Sequence, residues 1–440
     1  MSVSPEFRRN LWLEITPYRL ISMPLVLGAV FYLAFVSDDY VLGKAVSTTS
    51  AGLFFLIAMI WGTKLASESI MNEIRDHTWD NQRMSVITPW QLTWGKLLGS
   101  TVYTWCGAII CIAVYGLSVL DKDPAQALKT MLVLLLSGLL AHAVSLLTSL
   151  MALQKERKFN KSQTAAILLL GIVAAGPFFN MALNRGTSLR WFGASYAEID
   201  FLLGSTLAYT LWAVVGVYQM IRLELQMKNS PWAWFGFVLF VMLHIAGLFH
   251  VTPQVGGHAM AAASPTFLAA YFVSLAAVYF MAFAERKDAL SLRAVVRLAA
   301  AGNWPRFLER APRWLLTLPI TAGAGVAVIA TAGAGTSGGV LPIACFEVAS
   351  LLFLARDLGI MLFCNLGTKT RRADMLTVLC LVLLYGIFPA TLAAMKIDNA
   401  TLLFWPRADL QPAVGCVVAG LEAIAMGCLV AMRWKKRIAE

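Results

Sequence analysis

Apolar residues along this 440-residue chain are collected into long runs that alternate with short polar stretches. The runs are about 20 residues long, the length of α-helix that spans the hydrocarbon core of a bilayer. We therefore predict an all-α, polytopic membrane protein with twelve transmembrane helices. The predicted spans are residues 21–36, 52–66, 97–119, 130–153, 164–183, 201–221, 232–249, 266–284, 314–331, 340–358, 375–395 and 413–432.

Composition indicates the same class of protein. Hydrophobic residues make up 59% of the chain and charged residues 13%, whereas about a quarter of the residues in a soluble domain are charged. Residues 5–20 are polar and basic, and we expect an amphipathic helix along the membrane surface rather than a cleavable signal peptide. The seven cysteines form no C-x-x-C pair, which favours small core residues over a disulfide or metal set.

Lysine and arginine are distributed unequally between two sets of loops. If both termini are cytoplasmic, only seven of the 35 basic residues fall in the outer loops. Membrane proteins carry such an excess of basic residues on the cytoplasmic side. The pattern predicts cytoplasmic termini, and it explains the net charge of +11 by topology, without a nucleic-acid partner.

Two sets of six spans share a layout, which predicts an internal repeat with halves at residues 1–228 and 229–440. In each half a long charged loop separates the second and third spans, and we name these the first charged loop (residues 68–96) and the second charged loop (residues 285–313). The fourth and tenth spans also match locally, His142-Ala-Val-Ser against Glu347-Val-Ala-Ser. Because each half has an even number of spans, we expect the halves to be parallel.

The first charged loop combines acidic, basic and tryptophan residues. Thr88, Pro89 and Gln91 predict a helix start in which Thr88 is the N-cap, Pro89 takes the first helical position and Gln91 completes a capping box. Short helices with charged and aromatic residues suit a docking surface. An interfacial belt of tryptophans would give a similar composition.

The residues of this loop resemble the signature of ABC exporter permeases of the type-2 (ABC-2) class. In that family an acidic residue, a "GT-x-[ED]" element, a proline and a "GK" re-entry occur in this order. His77 stands here in place of the usual glycine before Thr78. The matching residues are Glu73, Thr78, Trp79, Asp80, Gln82, Arg83, Ser85, Pro89, Trp90, Gly95 and Lys96.

The resemblance implies six spans per half, an N-terminal amphipathic helix and a coupling helix that docks on a cytoplasmic ABC ATPase subunit, present in two copies. It also implies that ATP and Mg are bound by that partner and that this chain carries no cofactor. The chain is also expected to contact membrane lipid, in a bacterial cytoplasmic (inner) membrane. The docking residues carried over are Glu73, Thr78, Trp79, Asp80 and Arg83, with Trp304 and Arg306 as weaker counterparts in the second charged loop.

The sequence contains no G-x-x-x-x-G-K-[ST] phosphate-binding loop. We therefore expect a transport subunit rather than an enzyme, with ATP hydrolysis in a separate subunit. The alternative is a twelve-helix secondary transporter driven by protons through His142 or Glu347. A membrane enzyme acting on lipid ranks last, because no polar catalytic cluster is evident.

Ionisable residues inside spans are costly and tend to be functional. His142 and Glu347 lie near mid-depth in their spans, so either could border a translocation path or form a buried hydrogen bond. Arg356 and Asp357 suggest a local ion pair near a span end. His244, His250 and His258 gather in an outer region without the spacing of a metal motif.

Overall fold

The protein is described here by a computed structural model. The described residues are 5–85, 87–120, 123–155, 161–184, 186–250, 264–332, 340–367, 373–406 and 411–439. Most of them are helical, and the only sheet among them is a two-stranded one, β1 (Ser188–Trp191) with β2 (Ala194–Ala197). The described chain is therefore all-α apart from this small sheet.

The chain divides into two compact units, and the first consists of Met1–Leu189 and Ser195–Asn229. Its central helix is α8, which packs against α4, α7, α9 and α10. A π-helical segment, Phe55–Gly62, joins α3 to α4. The helices of this unit are α1 (Pro5–Glu14), α2 (Pro17–Ser37), α3 (Lys44–Phe54), α4 (Thr63–Arg75), α5 (Trp79–Arg83), α6 (Pro89–Gly99), α7 (Val102–Val119), α8 (Pro124–Lys155), α9 (Lys161–Leu183) and α10 (Glu198–Glu224).

The second unit consists of Arg190–Ala194 and Ser230–Glu440. Its central helix is α16, which packs against α15, α17 and α19, while α12 packs against α11 and α15. A second π-helical segment, Leu383–Ile387, lies between α17 and α18. The helices are α11 (Trp232–Leu248), α12 (Pro265–Ala284), α13 (Ala289–Ala300), α14 (Trp304–Arg310), α15 (Arg313–Ala332), α16 (Leu341–Asn365), α17 (Ala373–Val382), α18 (Phe388–Ala394) and α19 (Pro412–Ala439), with a 3₁₀ turn at Asp398–Leu403.

Ten helical segments of the described chain are long and apolar enough to cross a membrane. The two other predicted spans are also helical. One is α11, which is apolar but has only 17 residues. The other is α16, which carries Glu347, Arg356 and Asp357 and continues to Asn365. Length and composition thus support ten of the twelve predicted spans within the described residues.

Large apolar side chains on the outer faces of these helices are exposed, as a lipid-facing surface requires. On α19, for example, Val417, Leu421 and Ile424 are each more than 60% exposed. The interior of the first unit is packed with side chains such as Phe54, Leu134 and Leu146, all close to fully buried. The units are therefore apolar both inside and outside, and buried polar groups stand out.

Candidate functional site

The first charged loop folds into two short helices. The turn after α4 places His77 at φ 56°, in the left-handed region that favours glycine, which is the residue that the family pattern has at this position. The helix start predicted at Thr88 is confirmed. The Thr88 hydroxyl accepts from the Gln91 backbone N–H at 3.3 Å, and the Gln91 side chain accepts from the Thr88 N–H at 3.2 Å.

A buried ion network lies beneath this loop. Lys96, in α6, is 1% exposed, and its Nζ donates to Glu6 of α1 at 3.0 Å and to Glu73 of α4. Glu6 is itself only 3% exposed. One lysine therefore ties together three helices that are far apart in the sequence.

Two further side chains complete this arrangement. Arg9 of α1 donates to Glu6 at 2.8 Å and to Glu73 at 2.7 Å, and Gln82 of α5 donates to Glu73 at 2.7 Å. We call these five residues, Glu6, Arg9, Glu73, Gln82 and Lys96, the first-loop ion network. Its two carboxylates and two cations balance, which offsets the cost of burying Glu6 and Lys96, while Arg9 remains partly in contact with solvent.

The docking residues predicted in this loop fall into two groups. Glu73 belongs to the first-loop ion network, and its side chain is only 12% exposed. Trp79 is 5% exposed and lies beneath the loop, where Lys96 Nζ is 5.7 Å from its ring centroid. Thr78 and Asp80 are exposed, and Arg83 is partly exposed with Nη1 3.5 Å from Asp80 Oδ1. The surface available to a partner is thus carried by Thr78, Asp80 and Arg83.

The second charged loop has a simpler anchor. Glu285, at the end of α12, accepts from the Arg313 backbone N–H at 2.8 Å and from Arg313 Nη1 at 3.2 Å. Burial raises the pKa of the Glu285 carboxyl, and the neighbouring Arg313 guanidinium offsets part of that increase. Arg313 is the first residue of α15, so the pair closes the base of the loop.

Trp304 and Arg306, the weaker predicted docking residues, are both exposed on α14. Asn303 caps this helix by accepting from the Arg306 N–H at 3.4 Å. The Trp304 and Phe307 rings pack edge to face with centroids 5.6 Å apart. Trp304 therefore differs from its predicted counterpart Trp79, which is buried.

Both loops share a feature that the sequence analysis missed. In each, an acidic residue pairs with the basic residue at the far end of the loop: Glu73 of α4 with Lys96 in the last turn of α6, and Glu285 with Arg313 at the start of α15. The basic residue at the opposite end of each loop was the available signal for the pairing.

His142 is a buried residue of α8 that bonds to the first π-helical segment. Its Nε2 lies 2.8 Å from the Ala58 carbonyl oxygen, and because a carbonyl only accepts, Nε2 carries the hydrogen. Ser145 and Ser149, on the same helix, donate to the carbonyls of Thr63 and Ser67 at 3.2 and 3.1 Å. His142 thus begins a row of side chains that fastens α8 to backbone carbonyls.

Gly62→Ala is expected to break this contact, since a Cβ at Gly62 would overlap His142 Nε2 and lie 2.9 Å from Thr104 Oγ1. Overpacking of this kind costs about 1–3 kcal/mol, measurable as a lower free energy of unfolding in an SDS titration from detergent micelles. Gly28→Ala is the matched control, because nothing lies within 4 Å of the added carbon. Equal effects of the two substitutions would contradict the assigned contact.

The predicted ion pair of Arg356 and Asp357 is confirmed, with Nε 2.9 Å from Oδ1. Three more side chains join it. Tyr279 and Tyr385 each donate to Asp357 at 2.6 Å, and Arg356 Nη1 donates to Glu422 at 2.7 Å. We call these five residues the second-unit polar cluster.

This cluster connects elements that are distant along the chain. It joins α12, α16 and α19 to the second π-helical segment, which contributes Tyr385. The Arg356 guanidinium also lies 4.5 Å from the Phe353 ring centroid and 5.2 Å from that of Tyr385. Arg356 and Asp357 are buried, so the cluster holds charge inside the second unit.

Glu347, the other residue predicted to border a translocation path, is 1% exposed in α16. Among the outer histidines, His250 Nδ1 is 3.3 Å from Thr266 Oγ1 and the His244 carbonyl accepts from Trp191 Nε1 at 3.1 Å, while His258 lies outside the described residues. No group of three or more metal-ligating side chains occurs in the described part of the chain.

No family model matches this sequence, and no curated protein matches it. The functional proposal therefore rests on the residues and contacts described above.

Proposed function

We propose that this chain is the membrane permease subunit of an ATP-driven exporter of the ABC-2 type, which couples a separate cytoplasmic ATPase to translocation. In this proposal both charged loops face the cytoplasm of a bacterium and each receives one of two ATPase copies. The ATPase binds ATP and Mg, and this chain supplies the pathway through the membrane.

The first-loop ion network is the observation that carries the proposal. It fixes α6 to α1 and α4 through the buried Lys96 and α5 to α4 through the Gln82 amide, while Thr78 and Asp80 remain exposed. A force applied to the exposed side would therefore reach α4, which continues directly into a span. A loop that served only as an interfacial belt would need no such anchoring.

Helix pairing within each unit supports the proposed repeat of six spans. In the first unit α2 packs on α3, α3 on α7, α7 on α8, and α8 on both α9 and α10. In the second unit α11 packs on α12, α12 on α15, α15 on α16, and α16 on both α17 and α19. The order of the pairs is the same in both units.

A proton-driven secondary transporter is the second candidate, favoured by the buried carboxyl of Glu347. The two candidates differ in their energy source. Collapse of the proton gradient at constant ATP would stop only the secondary transporter directly, whereas removal of the partner ATPase would stop only the exporter.

A photo-crosslinker placed at Asp80 tests the proposed docking in whole cells. We expect one cytoplasmic polypeptide to be captured from this position, and that polypeptide must bind and hydrolyse ATP. Asp39 is the matched control, since it is also exposed but precedes α3 at the other end of a span. Capture of no ATPase from Asp80, or equal capture from Asp39, would remove the support for the proposal.

A further inference from the structure

Glu347 is buried inside the second unit, away from solvent. It projects from α16 toward Gly325 of α15 and Tyr271 of α12. A Cβ added at Gly325 would lie 3.4 Å from Glu347 Oε2 and 3.4 Å from Tyr271 Cε2, so both side chains meet over this glycine. Glu347 is 1% exposed and Tyr271 is fully buried.

Within the described residues, no cation pairs with Glu347, and the Tyr271 hydroxyl is close enough to interact with the carboxyl without reaching normal hydrogen-bond geometry. Other deeply buried carboxyls are paired with cations. Glu6 is bound by Lys96 and Arg9, and Asp357 by Arg356 and two tyrosines. Glu347 thus differs from both in having no cation among the residues that the structure describes.

The charged groups nearest to Glu347 along α16 do not neutralise its carboxyl. Arg356 and Asp357 lie nine and ten residues further on, which places them about 14–15 Å away along the helix axis. Arg356 is already held by Asp357 and by Glu422 from α19. Tyr271 is the titratable side chain that faces Glu347 from α12, and the facing position on α15 is Gly325.

An ionised carboxylate in such surroundings would be costly, because it loses its hydration and no cation among the described residues compensates its charge. A neutral carboxyl avoids most of that cost. A metal cation such as Ca²⁺ would need six or more oxygen ligands. Among the described residues, the side-chain oxygen that meets this carboxyl is the Tyr271 hydroxyl.

We infer that Glu347 is a proton-binding site, and that the conformation described here is its protonated form. A conformation that admits water to Glu347 would allow the proton to leave. The site would then take up one proton each time it closes. This inference goes beyond the proposed function and does not depend on which energy source drives transport.

Dicyclohexylcarbodiimide tests the inference, because it enters apolar regions and reacts with protonated carboxyls. The carboxyl O–H adds across a C=N bond to give an O-acylisourea, which rearranges to a stable N-acylurea with no leaving group. We treat the full chain in detergent micelles and locate the adduct by peptide mass spectrometry. The expected adduct is on Glu347, and its yield falls as the pH is raised.

Two variants control this experiment. Glu347→Gln is nearly isosteric and should lose the adduct while eluting as the same monodisperse species in size-exclusion chromatography. Glu68→Gln, at the partly exposed Lys64–Glu68 pair, should keep it. An unmodified Glu347 in the folded protein at every pH overturns the inference. Protection of Glu347 by Na⁺ or K⁺ at constant pH also overturns it, since a metal cation would then occupy the site.

Discussion

Lys96→Met is expected to lower the free energy of unfolding by about 3–5 kcal/mol, the usual cost of removing one partner from a buried ion pair. The substitution leaves Glu6, which is 3% exposed, and Glu73 beside each other with only Arg9 to compensate them. An SDS titration from detergent micelles measures the loss. Because Lys96 holds α1 against α6, protease cleavage near Glu14 should also become faster.

Lys64→Met is the matched control for this variant. Lys64 also pairs with a glutamate, Glu68, but at 4.0 Å and with a side chain that is 56% exposed. Exposed pairs of this kind contribute about 0–1 kcal/mol. If Lys96→Met were as mild as Lys64→Met, the first-loop ion network would not be a structural anchor.

Arg356→Met is expected to have a comparable effect, about 3–5 kcal/mol, because it leaves Asp357 and Glu422 without their cation. Asp357 would retain the Tyr279 and Tyr385 hydroxyls, which donate hydrogen bonds but carry no charge. The same titration measures the loss. Adding Asp357→Asn and Glu422→Gln should recover much of the lost stability, since no unpaired charge then remains.

Arg433→Met distinguishes charge pairing from aromatic stacking. The Arg433 guanidinium lies 4.2 Å from the Phe363 ring centroid, a contact like that of Arg356 with Phe353. Such a contact contributes about 0.5–1 kcal/mol at exposed sites and about 2 when desolvated. A loss at Arg356 no larger than the loss at Arg433 would mean that stacking, and not the ion pairs, accounts for the contribution of Arg356.

Features set by neighbouring residues could be predicted from the sequence. The Thr88 capping box depends on residues three apart, and the Arg356–Asp357 pair on adjacent residues. The predicted spans follow from runs of apolar residues and correspond to helices in the structure. The third predicted span began too early, because a turn at Ser100 and Thr101 separates the end of α6 from α7. Span seven was predicted from the same pattern, although α11 is short for a membrane helix.

Features set by distant residues could not be predicted. Lys96 meets Glu6 across 90 positions of sequence, and Tyr279 meets Asp357 across 78. The sequence predicts Trp79 as an exposed docking residue because charged residues flank it. Tertiary packing instead places Lys96 against its ring. The first π-helical segment likewise has no marker in the apolar run that forms it, so the bond between Ala58 and His142 became visible only in the structure.

Vanadate-sensitive ATP hydrolysis that co-purifies with the tagged full chain tests the proposed coupling most directly. We predict such activity with the wild-type chain and with Asp39→Lys, and its loss with Asp80→Lys, while all three accumulate equally in the membrane. Asp80 is chosen because its side chain is 76% exposed and lies outside the buried core of the loop. Absence of activity with the wild-type chain, or equal activity with Asp80→Lys, would contradict the assignment as a permease coupled to a separate ATPase.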